Sequence, residues 1–271
     1  MPFTASHPAA VLPLVRRGRW VTAGLLTGSV APDLPSFLPL GLTHDQTHPP
    51  TAILWPDGLL AVGLLAAWWV LLRPGLAPLW PAAAARCGPA GWRAVWTRGR
   101  LDLAAVLPWA GWLALSELVG LATHLGWDSF THSDGYVARR WAPLQGDVAG
   151  HLIVSWLQAA SSVLGLAVVT AYLLVQWPRR AAPDVDEHVG PALRIVVVVV
   201  SAAGALASAA VEYRHVAAVD TTHLLLWSDT VKAACGALIV ALGVWSLAWA
   251  GIRAHRHATR DPHSPVTSSV P

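Results

Sequence analysis

The chain is 271 residues long, 55% hydrophobic and only 12% charged, with a formal net charge of +3. Average soluble proteins carry about 25% charged residues, and here the apolar residues gather into long uninterrupted runs, which excludes an ordinary water-soluble core. The positive charge does not mark a nucleic-acid binder, because it comes almost entirely from Arg residues in short segments between those runs.

The first fifty residues are the least regular part, with short apolar stretches broken by Pro, His, Asp and Arg. Segment 8–17 makes only about 15 Å of helix at 1.5 Å per residue, too short to cross a bilayer, and 20–30 can return over a similar distance. A helical hairpin turning at Arg16, Arg17 and Arg19 brings His7 and Asp33 to one end. The competing arrangement is a single span over 20–42, whose second half is broken by Pro32, Pro35 and Pro39.

Five cleaner runs follow, at 53–72, 101–125, 152–177, 193–211 and 223–252, each near the roughly 20 residues a helix needs to cross hydrocarbon. They are continuous and rich in Leu, Ala and Val, without the period-two alternation of barrel strands. Trp20, Trp80, Trp127, Trp141, Trp177 and Trp249 lie near run ends, where amphipathic rings prefer the interface. The expected fold is all-α, a polytopic transmembrane helix bundle of five spans plus an N-terminal broken or hairpin helical segment. Residues 1–252 form one membrane domain, with the site-bearing part in about 1–150, and 253–271 form a disordered polar tail.

The connector 73–100 carries Arg73, Arg86, Arg93, Arg98 and Arg100, and 179–194 carries Arg179, Arg180 and Arg194, whereas the alternate connectors hold fewer basic residues. The positive-inside rule then puts these connectors and the C-terminus in the cytoplasm and 126–150 outside, in a plasma (inner) membrane. No basic region leads into a small-residue cleavage site, so the N-terminus is expected to be retained. Cys87 and Cys235 fall in a connector and a span and are not expected to pair.

The strongest constellation closes the second span: His124-Leu-Gly-Trp-Asp128-Ser-Phe-Thr-His132. On a helix the spacing of four keeps His124, Asp128 and His132 on one face. Imidazole and carboxylate are ligands of first-row metals, and three such groups in line at a membrane boundary are costly to leave unpaired. They either bind something or hydrogen-bond one another as an interfacial cap. His7, Asp33 and His48 are placed by the topology at the same outer end, while His44 reads as a loop residue. Asp57 lies one turn inside a span, as a site residue or an ion-pair partner. In the last third, Glu212 and His215 have a three-residue spacing seen in carboxylate metal sites, with Asp220 and His223 nearby, but Asp229 and Lys232 read as a self-neutralising pair.

The opening Met-Pro-Phe-Thr-Ala-Ser-His7-Pro, then Gly28-Ser-Val-Ala-Pro-Asp33-Leu-Pro, and then Thr123-His124-Leu-Gly-Trp-Asp128-Ser-Phe-Thr-His132 resemble the bacterial membrane family called domain of unknown function 4184, over roughly residues 1–180. That family in turn resembles, more distantly, predicted membrane-bound metal-dependent hydrolases, whose elements are matched by Pro32-Asp33, Thr47-His48 and His124 with Asp128. The chain departs from those patterns at Pro49 and at Gln158-Ala159 before Ser161-Ser162.

The resemblance and the residues together lead to the expectation of a metal-dependent hydrolase at the outer membrane-water interface. The expected ligands are His7, Asp33, His48, His124 and Asp128, holding a divalent metal ion, zinc first, with manganese or magnesium as alternatives. Asp128 and His132 are expected to move protons, His132 being otherwise a ligand or a support for the ligands. The expected partners are the lipid bilayer and a lipid-borne or periphery-facing substrate. Two competing readings use the same chain: a non-enzymatic membrane protein with a structural His/Asp cluster, and a transporter or proton relay through Asp57, Glu117 and Asp229/Lys232. No phosphate-binding Gly-rich loop, His-Glu-x-x-His, Gly-x-Ser-x-Gly or Cys-x-x-Cys is present.

Overall fold

The structure, a computed structural model, describes residues 3–15, 17–80, 96–97, 100–101, 103–176, 189–219 and 223–259. Most of the connector around Cys87, most of the 177–190 connector, Asp220 and the last residues from 260 lie outside them. The chain divides into two compact units, residues 1–68 with 85–183, and residues 69–84 with 184–271.

In the first unit, α1 (Pro8–Val11) runs into a 3-10 turn at Leu12–Leu14, and α2 (Thr22–Val30) into another at Ala31–Ser36. The short hairpin therefore forms, and the single 20–42 span does not. Pro32 and Pro35 explain the change: each lacks an amide hydrogen, and Pro35 inside an α-helix would remove a hydrogen bond and clash with the preceding turn. Val11, Val15 and Leu25 close on one another, with Trp20, Val119 and Tyr172 packed around them.

Next come α3 (His44–Thr47) and α4 (Asp57–Ala67), and then, from residue 69 within the second unit, a π-helical turn at Trp68–Leu72 and α5 (Arg73–Leu76). The long α6 (Leu103–Thr131) and α7 (Ile153–Gln176) complete the first unit's helices. Two-residue antiparallel ladders precede α6 and α7, pairing Trp96 with Leu101 and Asp147 with Leu152.

Lipid tails are as apolar as Leu, so helices in a membrane associate where small residues let backbones touch. The α2–α6 crossing is such a place: a Cβ on Gly28 would strike the Glu117 carbonyl, and one on Gly120 would strike the Leu25 carbonyl. Val163, Leu164 and Leu174 of α7 are 69%, 66% and 70% exposed, an outward apolar face that suits lipid and not water.

In the second unit α8 (Pro191–Val219) packs along α9 (His223–Thr259), with Ser208 donating to the Ala233 carbonyl at 3.2 Å. The short α5 is held to α9 by Trp245, whose indole N–H donates to Gly75 O at 2.7 Å. The last helix continues to Thr259, past the expected boundary at residue 252.

Among the described residues five helical segments are long and apolar enough to cross a membrane: Pro50–Leu76, Ala104–Thr131, Ile153–Val175, Pro191–Ala218 and Ser228–Arg256. The protein is an all-helical, multi-pass membrane protein of this kind. The second span outlasts its expected end at 125 because the polar His124-to-Thr131 segment buries its inward side chains and keeps the helix wound.

Candidate metal centre

Four segments converge where α6 ends. The N-terminal 3-10 turn Thr4–Ser6 packs on α7, Phe3 N–H donating to Ser162 Oγ at 2.9 Å, and this sets His7 at the start of α1. The turn after α2 carries Asp33. A capping box formed by Thr43 and Gln46 winds α3 and positions His44 and His48 at its two ends. The last turns of α6 supply His124, Asp128 and His132.

The approach of α2 to α6 has a direct consequence for His124: its Nδ1 lies 2.8 Å from the Ser29 carbonyl and can only donate there, which leaves Nε2 as the lone pair. His132 repeats the arrangement, with Nδ1 3.1 Å from the Asp128 carbonyl. In His48, Nδ1 is 2.9 Å from Thr47 Oγ1. Metal-binding histidines are oriented in this way, with the second nitrogen tied to a protein oxygen. Asp33 is held similarly, Thr4 Oγ1 donating to its Oδ2 and leaving Oδ1 unused.

The unused atoms face one another. His48 Nε2 is 3.3 Å from both Asp33 Oδ1 and Asp128 Oδ2, and His124 Nε2 is 3.7 and 3.3 Å from the same two oxygens. Ligands held about 2.1 Å from a tetrahedral ion stand roughly 3.4 Å apart, and these four separations are of that size. All four ligand atoms lie within 4.8 Å of one another, and Asp33, His124 and Asp128 are buried. None of the four inward atoms has a hydrogen-bond partner; leaving a buried polar atom so costs about 1–3 kcal/mol. A buried Asp/His/His/Asp group of this geometry can hold a metal ion.

His7 lies beside that set and is not one of its four members. Its Nε2 faces the other oxygen of Asp128, Oδ1, at 3.5 Å, and its ring stacks on His124 with centroids 3.9 Å apart. His132 Nδ1 is 3.7 Å from Asp128 Oδ1. All six candidate residues are therefore brought together. His44, expected as a loop residue, joins them, its ring 3.6 Å from that of His48 and 5.3 Å from that of His132. The signal that could have found it is its spacing of four from His48.

Burial is the largest influence on the imidazoles outside the spans. It lowers His7 to about 4, helped by the neighbouring His124, and His44 to about 4, helped by His48. It also lowers His132. Burial would lower His48 too, but Asp128 and Asp33 outweigh it and hold it up at about 9. Burial alone would raise Asp33, and His48 and His124 keep it below the usual carboxylate range instead.

A cleft of about 480 Å³ opens beside the cluster, lined by His44, His48, Asp128 and His132 and also by Ile53, Ala122, Leu125 and the exposed Arg139. The cluster lies at the start of the Pro50–Leu76 span and the end of the Ala104–Thr131 span.

The sequence model of a family described as domain of unknown function (DUF4184) matches residues 1–249. The chain belongs to the DUF4184 family. The match continues well past residue 180, where the resemblance read from the motifs stops. No match was found among curated proteins or among solved structures. Membership in DUF4184 thus brings no activity with it, and the functional reading rests on the cluster.

Elsewhere the polar residues behave differently. Asp57 is fully buried with both carboxylate oxygens unpartnered, and Glu117 is buried within α6. Lys232 donates to Asp229 at 3.2 Å, the expected self-neutralising pair. Neither Glu212 nor His215 joins a metal-competent group among the described residues. Asp220 and the His223 side chain lie outside the described residues.

Proposed function

We propose that this protein is a metal-dependent hydrolase working at the outer membrane-water boundary on a lipid-borne or periphery-facing ester or phosphoester. The observation that carries the proposal is the set of four converging ligand atoms from Asp33, His48, His124 and Asp128, all within 4.8 Å of one another and none with a hydrogen-bond partner. These residues would hold a divalent ion, zinc first given two imidazoles, with manganese or magnesium as alternatives; His7 is the fifth candidate. Such an ion, when bound, lowers the pKa of water toward neutrality and polarises a carbonyl or phosphoryl oxygen.

The chain's own residues do the rest. Asp128 and His132 are the groups assigned to proton movement. His132 donates through Nδ1 to the Asp128 carbonyl, so Nε2 is its basic atom. Burial keeps that imidazole neutral near pH 7, in the form that accepts a proton. Asp128 Oδ1 lies 3.7 Å from His132 Nδ1 and 3.5 Å from His7 Nε2, where its negative charge assists proton movement by stabilising the imidazolium that forms when His132 Nε2 takes up a proton. The Arg-rich connectors support an outward-facing site and a cytoplasmic C-terminus.

One observation favours a structural ion as the second reading: the group offers four protein ligand atoms, the number that fills a closed structural zinc site. Metal analysis of the purified protein, with His124→Ala and Asp128→Ala, tests both. About one tightly held ion per chain, lost in both variants, together with turnover of an ester or phosphoester, is the expected result. Metal without turnover across carboxylic and phosphoric esters leaves the structural reading, and no metal in the wild type removes both.

A further inference from the structure

We infer that the cleft beside the cluster seats a membrane-resident glycerophospholipid, with its phosphodiester at Arg139 and the His/Asp cluster and the start of one acyl chain along the apolar wall. The inference rests on the hydrolase reading and names its substrate class.

The cleft has two unlike sides. Ile53, Ala122 and Leu125 make an apolar wall, and all three belong to segments that cross the membrane. His44, His48, Asp128 and His132 supply its polar groups, toward the boundary where those segments finish. A water-soluble substrate has no use for a wall that continues into hydrocarbon. A lipid presents that combination, its phosphate at the interface and its chains below. Gly126 also lines the cleft, and a Cβ added there would meet nothing within 4 Å. The recess it leaves has room for a chain.

The rim sets the charge of the headgroup. Arg139 is exposed, and no carboxylate among the described residues pairs with it. It is available to an anionic oxygen. Asp45 and Asp134 line the same cleft and oppose a substrate with several negative charges, which favours a phosphodiester with one over a phosphomonoester with two. In its hydrolysis, the oxygen of water bonds to phosphorus and the bond from phosphorus to the leaving alcohol oxygen breaks. The proton from water goes to His132 Nε2 and then to the leaving oxygen.

The test uses the full chain in lipid nanodiscs with two probes, phosphatidylglycerol bearing a diazirine on one acyl chain and the water-soluble diester bis(p-nitrophenyl) phosphate. Photolysis is expected to label the Ile53–Leu125 wall, with or without added zinc. Gly126→Leu, which fills the recess, is expected to reduce labelling at least about tenfold and keep the wild-type zinc content. With zinc, lipid turnover is expected to exceed that of the soluble diester by about 100-fold in kcat/KM, and Arg139→Gln to raise KM for the lipid about tenfold with little change in kcat, as loss of a binding contact does. Labelling that ignores Gly126→Leu, or preference for the soluble diester, overturns the inference. Wall labelling that Gly126→Leu abolishes, in a protein that retains no metal, leaves the lipid seat standing and removes the hydrolase reading instead.

Discussion

The two compact units treat polar groups inside a membrane protein in opposite ways. In the second, Lys232 and Asp229 stand 3.2 Å apart on one helix face and neutralise each other. In the first, Asp33, His48, His124 and Asp128 turn their ligand atoms toward a common centre, and none of those atoms finds a hydrogen-bond partner. A pair that closes on itself needs nothing further to remain in an apolar environment. A converging group whose imidazoles and carboxylates face one another at 3.3–3.7 Å without hydrogen-bond geometry is only partly compensated, a cation would engage all four atoms at once, and this contrast is the reason for assigning chemistry to the first unit alone.

The largest effect expected is on metal content. His124→Ala or Asp128→Ala should lower retained zinc by at least about 100-fold in affinity, since a ligand is lost outright and even the residues that merely orient ligands are worth about 10–100-fold. The double variant Asp229→Asn/Lys232→Gln should leave zinc content unchanged. Elemental analysis after gel filtration reads both, and equal losses would erase the contrast between the units.

Stability should divide in the same way. At an ion concentration 1,000 times its dissociation constant, binding stabilises the folded state by about 4 kcal/mol, so chelation should lower the unfolding temperature in detergent. The Asp229/Lys232 double variant should shift stability by less than about 1 kcal/mol, the usual range for exposed pairs, and its response to chelator should match the wild type.

Gly28→Leu probes how the centre is supported. Its side chain has no room at the Glu117 backbone, and overpacking of this kind costs about 1–3 kcal/mol. Pushing α2 from α6 also withdraws the Ser29 carbonyl from His124, so metal affinity should fall although no ligand is altered. A variant that is destabilised but binds zinc with wild-type affinity would show that the carbonyl contact does not matter.

The smallest effect is a proton. Before an ion binds, His48 is raised from 6.5 to about 9 by Asp128 and Asp33 against the pull of burial. The stabilisation from that charged form is fully present below pH 6.5 and is lost as pH rises through about 9. A metal requires the neutral imidazole, so between these limits each ion bound should displace at least about one proton, and affinity should rise at least roughly tenfold per pH unit until about pH 9. Calorimetry in two buffers of different ionisation enthalpy measures the released proton. Proton uptake or no exchange at pH 7.5 would contradict the charged His48.

Much of this was legible before any coordinates. Continuous apolar runs near twenty residues have one stable solution in lipid, the helix, because every backbone polar group must be satisfied within the segment. The spacing of four between His124, Asp128 and His132 likewise places them on one helix face. The Asp229–Lys232 pair is local for the same reason. The boundaries were less legible: the polar end of α6 stays helical to Thr131 because Asp128 and Thr131 are buried against other segments.

The sequence by itself determined the helices, the membrane, and which imidazoles and carboxylates share a face, since these follow from periodicities within a few turns. Only the tertiary structure decided that His48 and Asp33 turn their ligand atoms toward those of His124 and Asp128, that His7 stands beside them, and that His44 belongs to the same cleft. Those relations span gaps of up to 121 residues, from His7 to Asp128, and they are fixed by where Gly28 and Gly120 let two backbones touch and by the Ser29 carbonyl that engages Nδ1 of His124.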